Sequence, residues 1–343
     1  MIARSTSVRL GPWSWVLAIA ALVGAVLVGL MVGPVSIGLG EIWYTAISHI
    51  PGLPAATVST SHQAIIWDIR APRVVLGVLV GGMLGMSGAA YQGVFRNPLA
   101  DPYLLGVAAG AGLGATAAIV AASDSTWLPA SAFIGATAAA AVTYAIGSVG
   151  GGRGSVSSLI LAGVAVAAFL TAVQTYIQQR NAATLREVYS WILGRLSTAG
   201  WSDVRTVIPY VLVSAAALVS LRRVLDVLAL GDDEATALGI PVVRIRLAIV
   251  AAATLGTAAV VAVSGLIGFV GIIVPHVLRL LFGSSYRVLI PLTFFLGGAF
   301  VVVADLVART ISQPSELPIG VVTAFLGAPF FAMILRTKTR AAA

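Results

Sequence analysis

The 343-residue chain has no cysteine, a single lysine, three histidines and only 9% charged residues. Without cysteine there is neither disulfide nor thiolate chemistry to consider. The lone lysine, Lys338, lies in the C-terminal tail. A nucleotide-binding phosphate loop needs a lysine just before its Ser or Thr, so the chain has none. The run Gly150-Gly151-Gly152-Arg153-Gly154-Ser155 has the glycines of such a loop without that lysine, and it reads as a flexible connection. Soluble domains carry about a quarter charged residues. Here 59% of residues are hydrophobic and mean hydropathy is +1.02. A soluble core of this size cannot absorb so much apolar surface, and the expectation is one polytopic membrane domain over residues 1–343 with no long linker or low-complexity tail.

Apolar windows of about twenty residues, long enough to cross a bilayer, recur near 13–33, 73–95, 101–122, 128–149, 156–179, 204–221, 243–263, 265–283, 288–309 and 317–336. The fold class expected is therefore all-α, with about ten transmembrane helices. The first window follows Arg4 and Arg9 like a signal peptide, but it lacks a small-residue cleavage site and reads as a retained span. With the N-terminus inside, basic residues on inner segments outnumber those on outer segments about two to one, which agrees with the positive-inside rule and puts both termini in the cytoplasm. The formal charge of +8 is spread over these membrane edges and is not read as a nucleic-acid footprint. The outer segments still hold Arg70, Arg73, Arg180, Arg186, Arg195, Arg205 and Arg309. So many outer arginines need a reason of their own.

Four stretches carry the functional reading. Leu225 to Val243 encloses a short polar helix between two apolar spans: Asp232, Asp233 and Glu234 favour the positive end of its dipole, and Gly239 followed by Pro241 ends it. Flanked by Arg222, Arg223, Arg244 and Arg246, it is expected on the cytoplasmic surface, either available to a partner or simply reversing the chain. The second span carries glycines at 77, 81, 82, 85, 88 and 93, a spacing that lets helix backbones approach closely and suits a helix deep in a bundle. Pro72 is expected to push Ala71 out of helical geometry and start that span. In the fifth span Thr171, Gln174, Thr175 and Gln178 share one helical face, fitting a translocation pathway or interhelical hydrogen bonds. Asp305 and Arg309, one turn apart near the outer surface, suit an internal ion pair, His276 suits packing and hydrogen bonding, and Trp191 and Trp201 suit the headgroup level.

Ile69-Arg70-Ala71-Pro72-Arg73, Gly93 through Pro102, Ala229-Leu230-Gly231 with Ala237-Leu238-Gly239-Ile240-Pro241, Gly268-Phe269-Val270-Gly271 with Pro275-His276, and Glu316-Leu317-Pro318-Ile319-Gly320 together resemble the permease subunits of ABC importers for iron siderophores, haem and cobalamin. They occur in that family's order along nearly the whole chain. The resemblance implies a permease that dimerises with a second copy or close relative around a central pathway in the bacterial cytoplasmic membrane. Two cytoplasmic ATPase subunits, which bind ATP and Mg, and an extracytoplasmic substrate-binding protein complete the importer. It further implies ATPase coupling through Gly231, Asp232, Asp233, Glu234, Ala235, Leu238 and Gly239, docking of the binding protein on Arg70, Arg73 and Arg309, and an inner gate at Gly152, Arg153, Gly154 and Ser155. Ala71 stands where many members carry a larger aliphatic residue. The expected cargo is a bulky metal chelate, with a ferric siderophore ahead of cobalamin or haem. The chain itself is expected to hold no catalytic residue, metal or cofactor.

Two other classes are weighed against this reading. A proton- or sodium-driven transporter places carboxylates or broken helices near the bilayer midplane, whereas these spans hold no central acid, Asp305 lying towards an end. A membrane-embedded enzyme needs a catalytic constellation, and His276 has no partner in its own span.

Overall fold

A computed structural model describes residues 13–49, 58–121, 127–148 and 156–342, and among them every regular element is helical. They are α1 (Trp13–Met31), α2 (Leu39–Ser48), α3 (Thr60–Ala64), α4 (Ala71–Val94), α5 (Val107–Val120), α6 (Trp127–Ser148), α7 (Val156–Arg180), α8 (Leu185–Ile192), α9 (Trp201–Leu228), α10 (Asp232–Ala237), α11 (Val242–Ser264), α12 (Val270–Phe282), α13 (Tyr286–Thr310) and α14 (Ile319–Ala342). Each of the ten expected spans coincides with one helix. Seven stretches are long and apolar enough to cross a membrane, while α5, α12 and the Ile319–Met333 part of α14 are shorter apolar helices. Inner and outer below denote the sides assigned by the charge bias.

The glycine-rich second span is the axis of the bundle. Helix α4 packs against α13, α11, α9 and α12, and nearly all of it is buried from Pro72 to Val94. At two crossings the packing admits no side chain: a Cβ on Gly81 would lie 2.1 Å from the Gly297 carbonyl oxygen, and one on Gly88 would lie 2.1 Å from that of Gly271. Lipid tails are as apolar as leucine, so close backbone approach and dispersion, rather than exclusion of water, hold such helices together. A second group, α5, α6 and α7, joins this core through α11 against α6 and α5, and α1 lies along α13.

Three boundaries differ from the sequence expectation. Ala71 stays helical at φ −62°, because the π-helical turn Ile65–Arg70 runs straight into α4 and the Ala71 N–H donates to the Ile66 carbonyl five residues back. The shifted register makes room for Pro72, which lacks a donor of its own. Residues 101–106 and 265–269 were expected inside spans but are not helical; Gly106 (φ +77°), Gly265 (φ +69°) and Phe269 (φ +68°) take left-handed conformations that a helix cannot continue through. Irregular backbone at this depth persists where protein groups satisfy it. Asn97 Oδ1 accepts from Leu99 N–H, Asp101 Oδ1 accepts from Tyr103 N–H, Gln92 donates to the carbonyls of Ala100 and Gly271, and the Tyr103 hydroxyl both accepts from Ile267 N–H and donates to Ile267 C=O.

The outer loop between α1 and α4 is organised by aromatic and polar contacts. His49 stacks on Trp67 with ring centroids 3.8 Å apart, and Trp201 donates its indole N–H to the Trp67 carbonyl. Glu41 meets His62 at 2.7 Å, and its carboxyl is held below the ordinary range first by the Gly38 N–H and then by His62. Trp191 is 2% exposed, because α8 turns its apolar face into the bundle.

Candidate functional site

The inner end is built around α10, six residues joining α9 to α11. Asp232, Asp233 and Glu234 form its first turn. Its C-terminus closes as a Schellman motif, with Gly239 N–H donating to the Thr236 carbonyl and Ile240 N–H to that of Ala235, and with Gly239 at φ +78°. Ala235 is fully buried under the helix, while Asp233, Glu234 and Leu238 are exposed, Leu238 by 67%. Asp232 differs from its neighbours. Both of its oxygens accept from Arg246 at 2.9 Å, and Arg96 stands 3.5 Å away. Sequence reasoning placed these arginines on the inner side but paired neither with Asp232. The interaction ties α10 to the start of α11 and to the turn after α4, and Asp233, Glu234 and Leu238 are exposed beside it.

The outer end holds a cluster of charges from four segments. Arg73, in the first turn of α4, donates from Nε to both oxygens of Asp305 at 3.1 and 2.9 Å and from one terminal nitrogen to Asp305 at 2.9 Å. Its two terminal nitrogens also reach the two oxygens of Glu316, both at 2.9 Å. Arg309 is 3.8 Å from Asp305 and donates to the Gly29 carbonyl at the end of α1. Arg70 donates to the carbonyls of Leu30, Met31 and Val35. The three arginines expected to dock a partner are thus 4%, 8% and 6% exposed, in the order Arg70, Arg73, Arg309, and each is held by contacts within the chain. The expected Asp305–Arg309 pair is present, but Arg73 is the stronger partner of Asp305. Glu316 was read only as the opening of the last span. The surplus of outer arginines was the available signal that carboxylates gather here, but it could not say which.

The polar stripe of α7 divides between two environments. Gln174 is buried and donates to Thr116 Oγ1 of α5, and Gln178 is buried too, whereas Thr171 and Thr175 are exposed. Gly152, Arg153, Gly154 and Ser155 lie outside the described residues. His276 sits edge-on to Phe330 with centroids 5.7 Å apart. Among the described residues no group of three or more His, Cys, Asp or Glu could hold a metal ion.

A multi-pass bundle of gapless glycine crossings, carrying an exposed acidic loop helix on one side and a sealed charge cluster on the other, has the make-up of a membrane transport permease. The sequence matches the FecCD transport family over residues 20–337, and the chain belongs to that family. It is 43% identical over 282 residues to the cobalamin import system permease protein BtuC of Halobacterium salinarum, covering 82% of this chain and 76% of that protein. It is 38% identical over 312 residues to the ferric enterobactin transport system permease protein FepD of Escherichia coli, covering 87% and 93% respectively. With the hemin transport system permease protein HmuU of Yersinia pestis it shares 38% identity over 296 residues, 82% of this chain and 87% of that one. The fold superimposes on a metal-chelate type ABC transporter in an inward-facing conformation, with a TM-score of 0.85 at 28% identity over 95% of this chain and all of the other.

Proposed function

We propose that this chain is the transmembrane subunit of an ATP-driven importer that carries a bulky metal chelate, a ferric siderophore, into the cytoplasm. It works beside a second copy or close relative, with two cytoplasmic ATPase subunits and an extracytoplasmic binding protein, in a bacterial cytoplasmic membrane with both termini inside. The observation that carries this reading is α10. A six-residue helix braced from behind by Arg246 and Arg96 and presenting Asp233, Glu234 and Leu238 outward suits a lever seated in another protein. When the ATPases close on ATP, the force on α10 passes through Asp232 to α11 and to the turn after α4. The two permease copies then exchange outward- and inward-facing states, and the exposed Thr171 and Thr175 of α7 face the pathway between them. The Gly152 to Ser155 connection forms the inner gate.

The experiment is transport in proteoliposomes containing the complete importer. Glu234→Lys or Leu238→Asp is expected to lower transport and binding-protein-stimulated ATP hydrolysis while leaving the fold intact; full transport in both variants refutes the lever. Cobalamin is the second cargo reading, favoured by the 43% identity to a cobalamin permease. Purifying the cognate binding protein and identifying the chelate it retains separates the two. The ion-driven alternative predicts uptake that survives ATP depletion and collapses with an ionophore. The pairing of Asp305 with two arginines counts against its use as a titrating carrier.

A further inference from the structure

The outer charge cluster contains more than an internal strut needs. Among the described residues Arg73 and Arg309 pair with two carboxylates, Asp305 and Glu316, while Arg70 is held by backbone carbonyls, and Nε of Arg309 is buried with no hydrogen-bond partner. Of the two carboxylates, Asp305 is sealed, its side chain 4% exposed, whereas the Glu316 side chain is 40% exposed. Glu316 also ends the exposed 311–316 segment between α13 and α14. Immediately after it the backbone is fastened again: Leu317 N–H donates to the Ala308 carbonyl, Ile319 N–H to Gly194 and Gly320 N–H to Leu193. Glu316 can therefore leave Arg73 without unseating α14. Beside the pair is a cavity of about 120 Å³ lined by Arg73, Arg195, Ser190, Ser197, Asp305 and Glu316. Among the described residues no carboxylate pairs with Arg195.

We infer that Glu316 is a displaceable stand-in for a carboxylate of an outer protein partner. An acidic side chain enters the small cavity from outside, takes the two terminal nitrogens of Arg73 with support from Arg195 and the two serine hydroxyls, and releases Glu316 to solvent. The cavity selects this chemistry. A multiply charged inorganic anion would meet the remaining Asp305 carboxylate at close range, whereas one side-chain carboxylate replacing another conserves the local charge. The exchange trades one bidentate arginine pair for another, so Glu316 weakens docking and keeps it reversible. It also couples docking to the freeing of residues 311–316. The inference rests on the importer reading, which supplies an outer binding protein. It reconciles docking at Arg73 with the burial of that residue.

The test uses the complete importer in lipid nanodiscs, titrated with its binding protein. Glu316→Gln, which keeps shape but loses charge, is expected to tighten binding about three- to tenfold, the range open to a partly exposed ion pair. Glu316→Asp, too short to reach both terminal nitrogens, is expected to tighten it in the same direction. Thermal melting of each variant checks that the fold is retained. Because the chain has no cysteine, Ser315→Cys can carry a single spin label, expected to become more mobile when the binding protein is added. Unchanged or weakened binding in Glu316→Gln, or a label that stays immobile while the complex forms, overturns the inference alone. Mobilisation of the label by acetate without any protein overturns the commitment to a protein partner. Failure of the wild-type importer to bind any such protein overturns the importer reading, and this inference with it.

Discussion

The two ends of the molecule handle charge in opposite ways. At the inner end the acids of α10 are mostly exposed, and Asp232 is braced by one buried and one partly exposed arginine. At the outer end three arginines are buried against two carboxylates and a set of backbone carbonyls. An exposed charge is cheap to keep and free to meet another protein. A buried one is costly unless every donor is met, and it fixes the segments that supply the acceptors. The inner end is thus built to be pushed, and the outer end to hold α1, α4, α13 and the start of α14 in register until a competing carboxylate arrives.

The largest effect expected from breaking this contrast is at Arg73. Arg73→Ala strands Asp305 without its main partner, and a loss of about 3–5 kcal/mol is expected, read as a large drop in melting temperature of the detergent-solubilised protein. Next comes overpacking of the bundle axis that both ends lean on. Gly88→Val sets a side chain against the Gly271 carbonyl and is expected to cost about 1–3 kcal/mol or more, measured in the same assay. Asp232→Asn keeps the shape of the inner brace and loses its charge. With the Asp232 side chain 35% exposed, solvent screening limits the cost to about 1 kcal/mol, so melting moves little while stimulated ATPase activity falls. The smallest change in stability is expected for Glu234→Ala, within about 0.5 kcal/mol of wild type. If Arg73→Ala proved no more destabilising than Asp232→Asn, the contrast between sealed and exposed charge would fail.

Much of the bundle was legible in the chain. Ten apolar windows match ten helices, and the Asp232-Asp233-Glu234 turn with Gly239 defined α10 to within two residues, because capping and dipole effects are local. The glycine spacing of the second span announced a buried helix for the same reason: what a missing Cβ permits can be read without knowing the neighbour. Residues 101–106 and 265–269 were read as spanning since their composition is apolar, yet their geometry is set by a tyrosine hydroxyl meeting a backbone segment 164 residues away. Arg73 and Asp305 are 232 residues apart and Arg73 and Glu316 are 243 apart. No local pattern links such pairs, so the sequence could not show that Arg73 is held by Asp305 and Glu316.

By itself the sequence determined that this protein lives in a membrane, how many times its apolar segments recur, and that an acidic helix interrupts them beside a ring of arginines. Those properties follow from transfer free energies and from hydrogen bonding over one or two helical turns, which depend on neighbours along the chain. Tertiary structure alone decided which acid belongs to which arginine, which half of the α7 stripe faces protein, and that Pro72 is absorbed in a continuous helix. Burial and charge pairing depend on what the fold brings within about 4 Å, and the fold sets that distance without regard to separation in sequence.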